Sequence, residues 1–435
     1  MRDLRVQYFL TYCVIGAVLP FVSLVFRDAG LSNAQVGYAW AVWSFAVVLS
    51  PVLVTLAADA RADPRRLLAL ASALTGASLL ALGLVRGVGP VLGVWAVYCL
   101  ASLPVLPLMD GVHFSQQRRL KERGEPQQPY HLVRVWGTVG FIIPSVLLFV
   151  LFQLHVDLRA APWTGAACAA LAALQALLLV DPRPRRADTP ELEDEIEAER
   201  QTERRLPTLA AAKALLRPHL IVFTGAVLLL QMASTVHTAY YPIYLTEMVH
   251  LDKVWVGVAS NLAVFIEIFF VSGCALMVRR LGVKRLLLLA TLATALRYGL
   301  VASSSRVGVA FGTQVFHGIF LVAVGVLPQI ILDPYAQDRF RHSMQGLFVM
   351  ITGSGRVVAN VAAGQLAAGG IGRLYGYAAV MCLAAAALIL FAYREPAESE
   401  VTTSEATGPT VPAESTVPTP EPALATQPGP APEIG

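Results

Sequence analysis

Apolar runs of about 20 residues, each long enough to cross the hydrocarbon core of a bilayer, fill this chain almost without interruption up to residue 394. They lie at 6–26, 35–58, 67–85, 90–115, 130–152, 160–180, 219–245, 254–278, 284–303, 307–331, 341–365 and 372–393. Lipid offers no hydrogen-bond partner, so each run must satisfy its own backbone and must be a helix. The expected fold is therefore an all-α membrane protein with twelve transmembrane helices. Composition agrees: only 14% of the 435 residues are charged, against roughly 25% in a soluble domain. Pro20, Pro51, Pro104, Pro107, Pro144, Pro242 and Pro328 fall inside the runs and mark expected kinks.

Basic residues orient the helices. With the N terminus inside, 24 of the 33 Lys and Arg fall in cytoplasmic segments and six in external loops. The other three, Arg134, Arg297 and Arg356, lie within the runs. This bias places both termini in the cytoplasm and reads as a multi-pass protein of the cell membrane. The first run follows Arg2 and Arg5. It is too long for a signal-peptide core and lacks a small-x-small cleavage site, so it reads as the first span. The five cysteines all sit in apolar runs without metal-ligand spacing; they read as small apolar residues, and no metal or other cofactor is expected.

The chain repeats itself once. Leu31, Val36 and Gly37 before span 2 recur as Leu251, Val256 and Gly257 before span 8. Arg66-Leu67-Leu68 at the start of span 3 recurs as Arg285-Leu286-Leu287. Two six-helix halves, 1–180 and 219–394, are thus joined by a mixed-charge cytoplasmic linker, 181–218, that reads as a solvated loop or a surface helix. Residues 395–435 hold no aromatic side chain and are rich in Pro, Thr, Glu, Ser and Ala. Such a segment buries too little apolar surface to offset its ordering entropy, and a disordered cytoplasmic tail is expected.

Five ionisable side chains interrupt the runs: Asp110, Arg134, Glu267, Arg297 and Arg356, in company with His237 and His317. A charge at the bilayer centre costs about 2.5–3.5 kcal/mol on insertion scales, so such residues pair, bind a substrate or relay protons. Asp110 and Arg134 sit at matching depth near the cytoplasmic ends of adjacent antiparallel spans. They are expected to form an ion pair, either a packing device or part of a cavity. His113 shares the Asp110 face. Glu267, Arg297 and His317 fall in spans 8, 9 and 10 and form the second expected cluster.

In order along the chain, several short motifs resemble those of the major facilitator superfamily. The branch they resemble contains lactose permease, the nucleoside–proton symporters and the phenylpropionate permeases, with the likeness closest to the last. They are Leu19-Pro20-Phe21, Gly30-Leu31 with Val36-Gly37, and Pro107-Leu108-x-Asp110. Next come Tyr130 with Val133-Arg134-x-Trp136-Gly137-Thr138-Val139, and Ala239-Tyr240-Tyr241. Glu267, Arg297 and Gln314-x-x-His317-Gly318 complete the set. The superfamily's cytoplasmic gate motif is matched by Asp59, Arg61, Asp63, Arg65 and Arg66, although Thr55 stands at its leading glycine position. Its second copy, Arg279-Arg280-x-Gly282-x-Lys284-Arg285, is better preserved. Lactose permease carries a proton-releasing carboxylate one turn after the span-10 histidine; here that position is Phe320.

The resemblance implies a monomeric secondary transporter working by alternating access. A proton-coupled symporter of a small organic solute is expected; an aromatic acid, a nucleoside and a sugar-like molecule all remain open, as do a uniporter, a proton-antiport exporter and, more remotely, a non-transporting receptor or sensor on the same scaffold. Glu267, Asp110 and His317 are the candidates for proton coupling. A carboxylate in a water-poor cavity holds its proton more tightly, and a neighbouring Arg loosens it; Arg297 is expected to play that part toward Glu267. Arg134, Arg297, Trp136, Tyr240, Tyr241, His237 and Arg356 are the candidates for substrate binding or gating; Arg356 reads either as an unpaired cation suited to an anionic substrate or as a snorkelling side chain or a partner of Asp59 or Asp333. No H-E-x-x-H, G-x-S-x-G or Walker-type loop occurs, so no enzyme and no ATP-driven pump is expected. The basic excess follows from topology, and nothing points to nucleic acid.

Overall fold

Span 1 breaks where its proline predicts. Helix α1 (Arg2–Val18) and helix α2 (Val22–Asp28) meet at Leu19-Pro20-Phe21 with a bend of 45°. The chain continues through α3 (Asn33–Asp59), α4 (Pro64–Leu82), α5 (Val88–Ser102), α6 (Val105–Glu122), α7 (Tyr130–Gln153) and α8 (Ala160–Leu178). The second half holds α9 (Pro207–Leu215), α10 (Pro218–Ile243), α11 (Val254–Leu281), α12 (Val283–Ser303), α13 (Val307–Gly312), α14 (Val315–Leu321), α15 (Leu327–Leu332), α16 (Arg341–Ala367) and α17 (Ile371–Phe391). The computed structural model describes residues 2–59, 63–122, 124, 130–179, 207–335 and 341–394. No strand occurs among them.

Ten helices among the described residues are long and apolar enough to cross a membrane, and the bent α1–α2 pair makes an eleventh. The remaining expected run, 35–58, is occupied by α3, a helix of 27 residues. Span 4 comprises α5 and α6 and breaks at Leu103-Pro104; span 10 comprises α13 to α15. Two wide turns were not foreseen. Span 7 ends in a π-turn, Tyr244–Met248, directly after Pro242, and span 10 contains another, Val322–Val326, just before Pro328. A proline lacks an N–H and crowds the preceding turn, and in span 10 the i→i+5 turn before Pro328 accommodates both. Within the expected linker, Pro207–Leu215 is a helix that buries Ala211 and Leu215 against the apolar face of spans 7 and 11. The rest of that linker, 181–206, and the expected tail, 395–435, lie outside the described residues.

Span 1 packs along spans 5 and 6, and span 3 along span 6. In the second half, span 7 packs on spans 11 and 12, span 9 on span 12, and span 8 on span 10. The two sets meet through span 2 against span 11 and span 5 against span 8. The contacts between them gather at the face opposite the N terminus. There, Asn360 Nδ2 donates to the Trp40 carbonyl at 3.3 Å and to Ser44 Oγ at 3.0 Å. Tyr240 Oη donates to the Asn33 carbonyl at 2.9 Å, and Arg27 pairs with Glu247 at 3.1 Å. Spans 2 and 11 touch backbone to backbone at Gly37 and Gly364, the close approach that small residues permit between membrane helices.

Candidate functional site

Where the two sets of helices part, they enclose a cavity of about 690 Å³, within the usual range for a small-molecule site. Tyr12, Leu19 and Pro20 of span 1 and Arg134, Thr138 and Phe141 of span 5 form one wall. The other wall comes from spans 7, 8 and 10: His237, Tyr241, Ser260, Glu267, Gln314 and His317. Pro20, at the bend of span 1, and Pro242, before the π-turn of span 7, both line the cavity.

The charges are arranged differently from the sequence expectation. Asp110 and Arg134 do not pair. The Asp110 carboxylate accepts from the Tyr130 hydroxyl at 2.8 Å and from the Tyr8 hydroxyl. Arg134 instead donates to the Tyr12 hydroxyl and lies over the Tyr12 ring at 4.9 Å. The reason is angular: matching depth says nothing about helix rotation, and span 1 supplies tyrosines to both residues. Cations over aromatic faces are stabilised by about 0.5–2 kcal/mol, which compensates Arg134 without a carboxylate.

Glu267 and Arg297 do not pair either. Arg297 is fully buried and bonds to three neutral acceptors: His237 Nε2 at 2.7 Å, Gln314 Oε1 at 2.6 Å and His317 Nδ1 at 3.2 Å. It sits behind the cavity wall rather than in it. Glu267 faces the cavity, and the arginine that acts on it electrostatically is Arg134, from the opposite wall. Among the described residues, three ion pairs occur, Arg27–Glu247, Arg65–Asp63 and Arg86–Asp28; none includes an intramembrane charge.

The other expected residues divide. His237, His317 and Tyr241 line the cavity; His237 stacks on Tyr241 with ring centroids 4.3 Å apart. Tyr240 is turned away and buried, its hydroxyl spent on Asn33. Trp136 is 43% exposed on the outer surface of span 5 and is not a cavity residue. Successive positions of a helix diverge by about 100°, so neighbouring motif residues point to different surroundings. Arg356 does not line the cavity, and its Nε is buried with no partner among the described residues. His113 is buried beneath Tyr130, with ring centroids 5.3 Å apart.

In the expected gate motif, Arg65 pairs with Asp63 at 2.9 Å and donates to the Leu179 carbonyl at 3.2 Å. Arg66 and Arg285 are exposed. Gly282 joins α11 to α12 at φ +77°, a conformation that only glycine takes without strain. The Asp59 side chain and Arg61 lie outside the described residues. Sequence reasoning missed Tyr8, Phe141 and Ser260 as partners or lining residues, and it noted Thr138 only within a motif. It noted Gln314 only as part of a motif, although Gln314 and His317 are three apart and share a helix face.

The MFS_1 like family model matches residues 1–377. The putative nucleoside transporter YegT of Escherichia coli (strain K12) is 25% identical over 362 residues, covering 80% of this chain and 79% of that protein. The xanthosine permease of the same organism is 23% identical over 378 residues, covering 83% and 86%. The crystal structure of the nucleoside transporter NupG superimposes with a TM-score of 0.76 at 18% identity, covering 91% of this chain and 99% of that one. The relatives are thus transporters of the nucleoside branch, whereas the motifs pointed most closely to the phenylpropionate permeases. With a lined cavity between two helix sets and a family match over most of its length, the chain belongs to the MFS_1 like family of the major facilitator superfamily and is a multi-pass membrane transporter.

Proposed function

We propose that this protein is a proton-driven nucleoside symporter. One observation carries the reading: Arg134 and Glu267 face each other across the cavity that separates the two helix sets. A carboxylate opposed by a cation, at the point where alternating access must change, can bind a proton and substrate in one cycle. Phe141 adds a ring face on which a planar base can stack. The names borne by the relatives support a nucleoside as the solute.

In this reading residues 1–180 and 219–394 rock as two bodies about the cavity, in a monomer with both termini in the cytoplasm. The contacts at the face opposite the N terminus then close the external side, so the conformation is cytoplasm-open. Glu267 takes the coupling proton, Arg134 binds substrate and biases Glu267, and Asp110 with its two tyrosines secures spans 1, 4 and 5.

The test is nucleoside uptake into proteoliposomes under an imposed pH gradient, in wild type and Glu267→Gln. Wild type should accumulate uridine and adenosine uphill and take up protons with them. The variant should keep nucleoside counterflow and lose uphill accumulation. Accumulation surviving in Glu267→Gln removes Glu267 from the coupling role; absence of any nucleoside-dependent proton flux in wild type refutes the symporter.

A further inference from the structure

We propose that Arg297 holds Gln314 and His317 as a pair of hydrogen-bond donors on the cavity wall, forming a subsite for a carbonyl oxygen of the substrate base. The proposal rests on the nucleoside reading above and adds which bases the wall accepts.

The argument begins with a donor-only group. A guanidinium has five N–H donors and no acceptor, so every atom it contacts at hydrogen-bond distance must accept. Gln314 therefore turns its amide oxygen to Arg297, at 2.6 Å. His317 presents an unprotonated Nδ1 at 3.2 Å and His237 an unprotonated Nε2 at 2.7 Å. Tautomers and amide orientations are ordinarily ambiguous; here the chemistry of one buried arginine decides all three. Each partner's remaining nitrogen must then be the one carrying hydrogen.

The three remaining nitrogens have different fates. His237 Nδ1–H is used, since the Tyr375 hydroxyl lies 3.2 Å away as its acceptor. His317 Nε2–H has no partner among the described residues, and His317 lines the cavity. The Gln314 amide nitrogen is also without a hydrogen bond, although Gln314 is only 1% exposed and lines the same cavity. The Tyr241 hydroxyl donates its own hydrogen to the Ala310 carbonyl at 2.9 Å, so its oxygen can accept one of the two amide hydrogens of Gln314 and leaves the other for the cavity. A buried donor left unpaired is costly. The Gln314 amide is such a donor, and His317 Nε2–H, one helical turn on, opens to the cavity; both are fixed by Arg297 and make a wall that matches an acceptor and opposes a second donor.

An oxo base offers that acceptor; an amino base offers N–H and meets like with like. A site that must leave buried polar groups unpaired discriminates strongly against the mismatched analogue. The expected preference is about tenfold in KM for one hydrogen bond gained against one lost.

The test is uptake into proteoliposomes of inosine against adenosine and of uridine against cytidine, pairs in which a carbonyl replaces an amino group. In wild type the oxo member of each pair should show the lower KM, by about tenfold. Gln314→Glu keeps one oxygen on Arg297 and turns an acceptor to the cavity, so the preference should invert. Gln314→Met has similar length and neither donor nor acceptor, and should reduce the preference. A wild-type ratio near one for both pairs, or a ratio unchanged in Gln314→Glu, overturns the donor wall while leaving the nucleoside reading intact. If none of the four nucleosides is taken up, the nucleoside reading itself fails and the proposal with it.

Discussion

The closed face depends on two glycines. A Cβ built on Gly37 would lie 2.6 Å from both the Asn360 carbonyl oxygen and the Gly364 Cα, and 2.9 Å from the Gly364 nitrogen. All three are backbone atoms, so no side-chain rotation relieves the clash. Carbon atoms pack at about 3.5–4.0 Å, and Gly37→Ala therefore forces spans 2 and 11 apart by roughly 1 Å. Overpacking of this kind costs about 1–3 kcal/mol. The strain exists only while spans 2 and 11 touch, so it disfavours this conformation against one in which that face has opened. The population ratio should shift about 5- to 150-fold toward the open-face state. The assay is the distance distribution between spin labels at Ser32 and Gly369, at the adjoining ends of spans 2 and 11, in purified protein. Gly376→Ala, at a site with nothing within 4 Å of an added Cβ, controls for the effect of alanine itself. A longer-distance population should appear in Gly37→Ala alone. An unchanged distribution in well-folded Gly37→Ala protein refutes the argument that this contact holds the face shut.

The remaining contacts give smaller effects. Tyr130→Phe removes one of the two hydroxyls on Asp110 and should destabilise the protein by about 1–2 kcal/mol, seen as earlier thermal unfolding in detergent. Additive effects of Tyr130→Phe and Asp110→Asn in a double-mutant cycle contradict a direct bond. Glu247→Gln breaks the pair with Arg27, whose side chains are 43% and 35% exposed. Exposed pairs contribute at most about 1 kcal/mol, so the closed-face population should change less than about fivefold. That change should vanish in high salt; a larger or salt-insensitive change assigns the pair a greater role than its exposure allows.

Much of the protein was legible in the chain. Length and hydropathy of the runs dictate helices because lipid leaves the backbone no alternative. Proline positions located the bend at Leu19-Pro20-Phe21 and the helix break at Leu103-Pro104, since a missing N–H acts locally and needs no partner. Of the five intramembrane charges, Arg134 and Glu267 line the cavity, together with His237, His317 and Tyr241, while Asp110, Arg297 and Arg356 do not. Trp136 and Tyr240 shared motifs with them and point elsewhere.

Pairing was settled only by the tertiary structure. Depth along a helix follows from counting residues, but which groups meet depends on the rotation of one helix against another, and a single sequence carries no such registry. Asp110 and Arg134 agree in depth, yet span 1 inserts Tyr8, which bonds to Asp110, and Tyr12, which bonds to Arg134. Glu267 and Arg297 sit on helices of the same half, yet Arg297 turns behind the wall onto Gln314 and two histidines while Glu267 turns toward Arg134. The sequence alone determined that charges would be buried and in which spans, because the cost of placing them in lipid is a property of the residue. Their partners were decided by the folded bundle, because compensation of a buried charge is a property of the few ångströms around it.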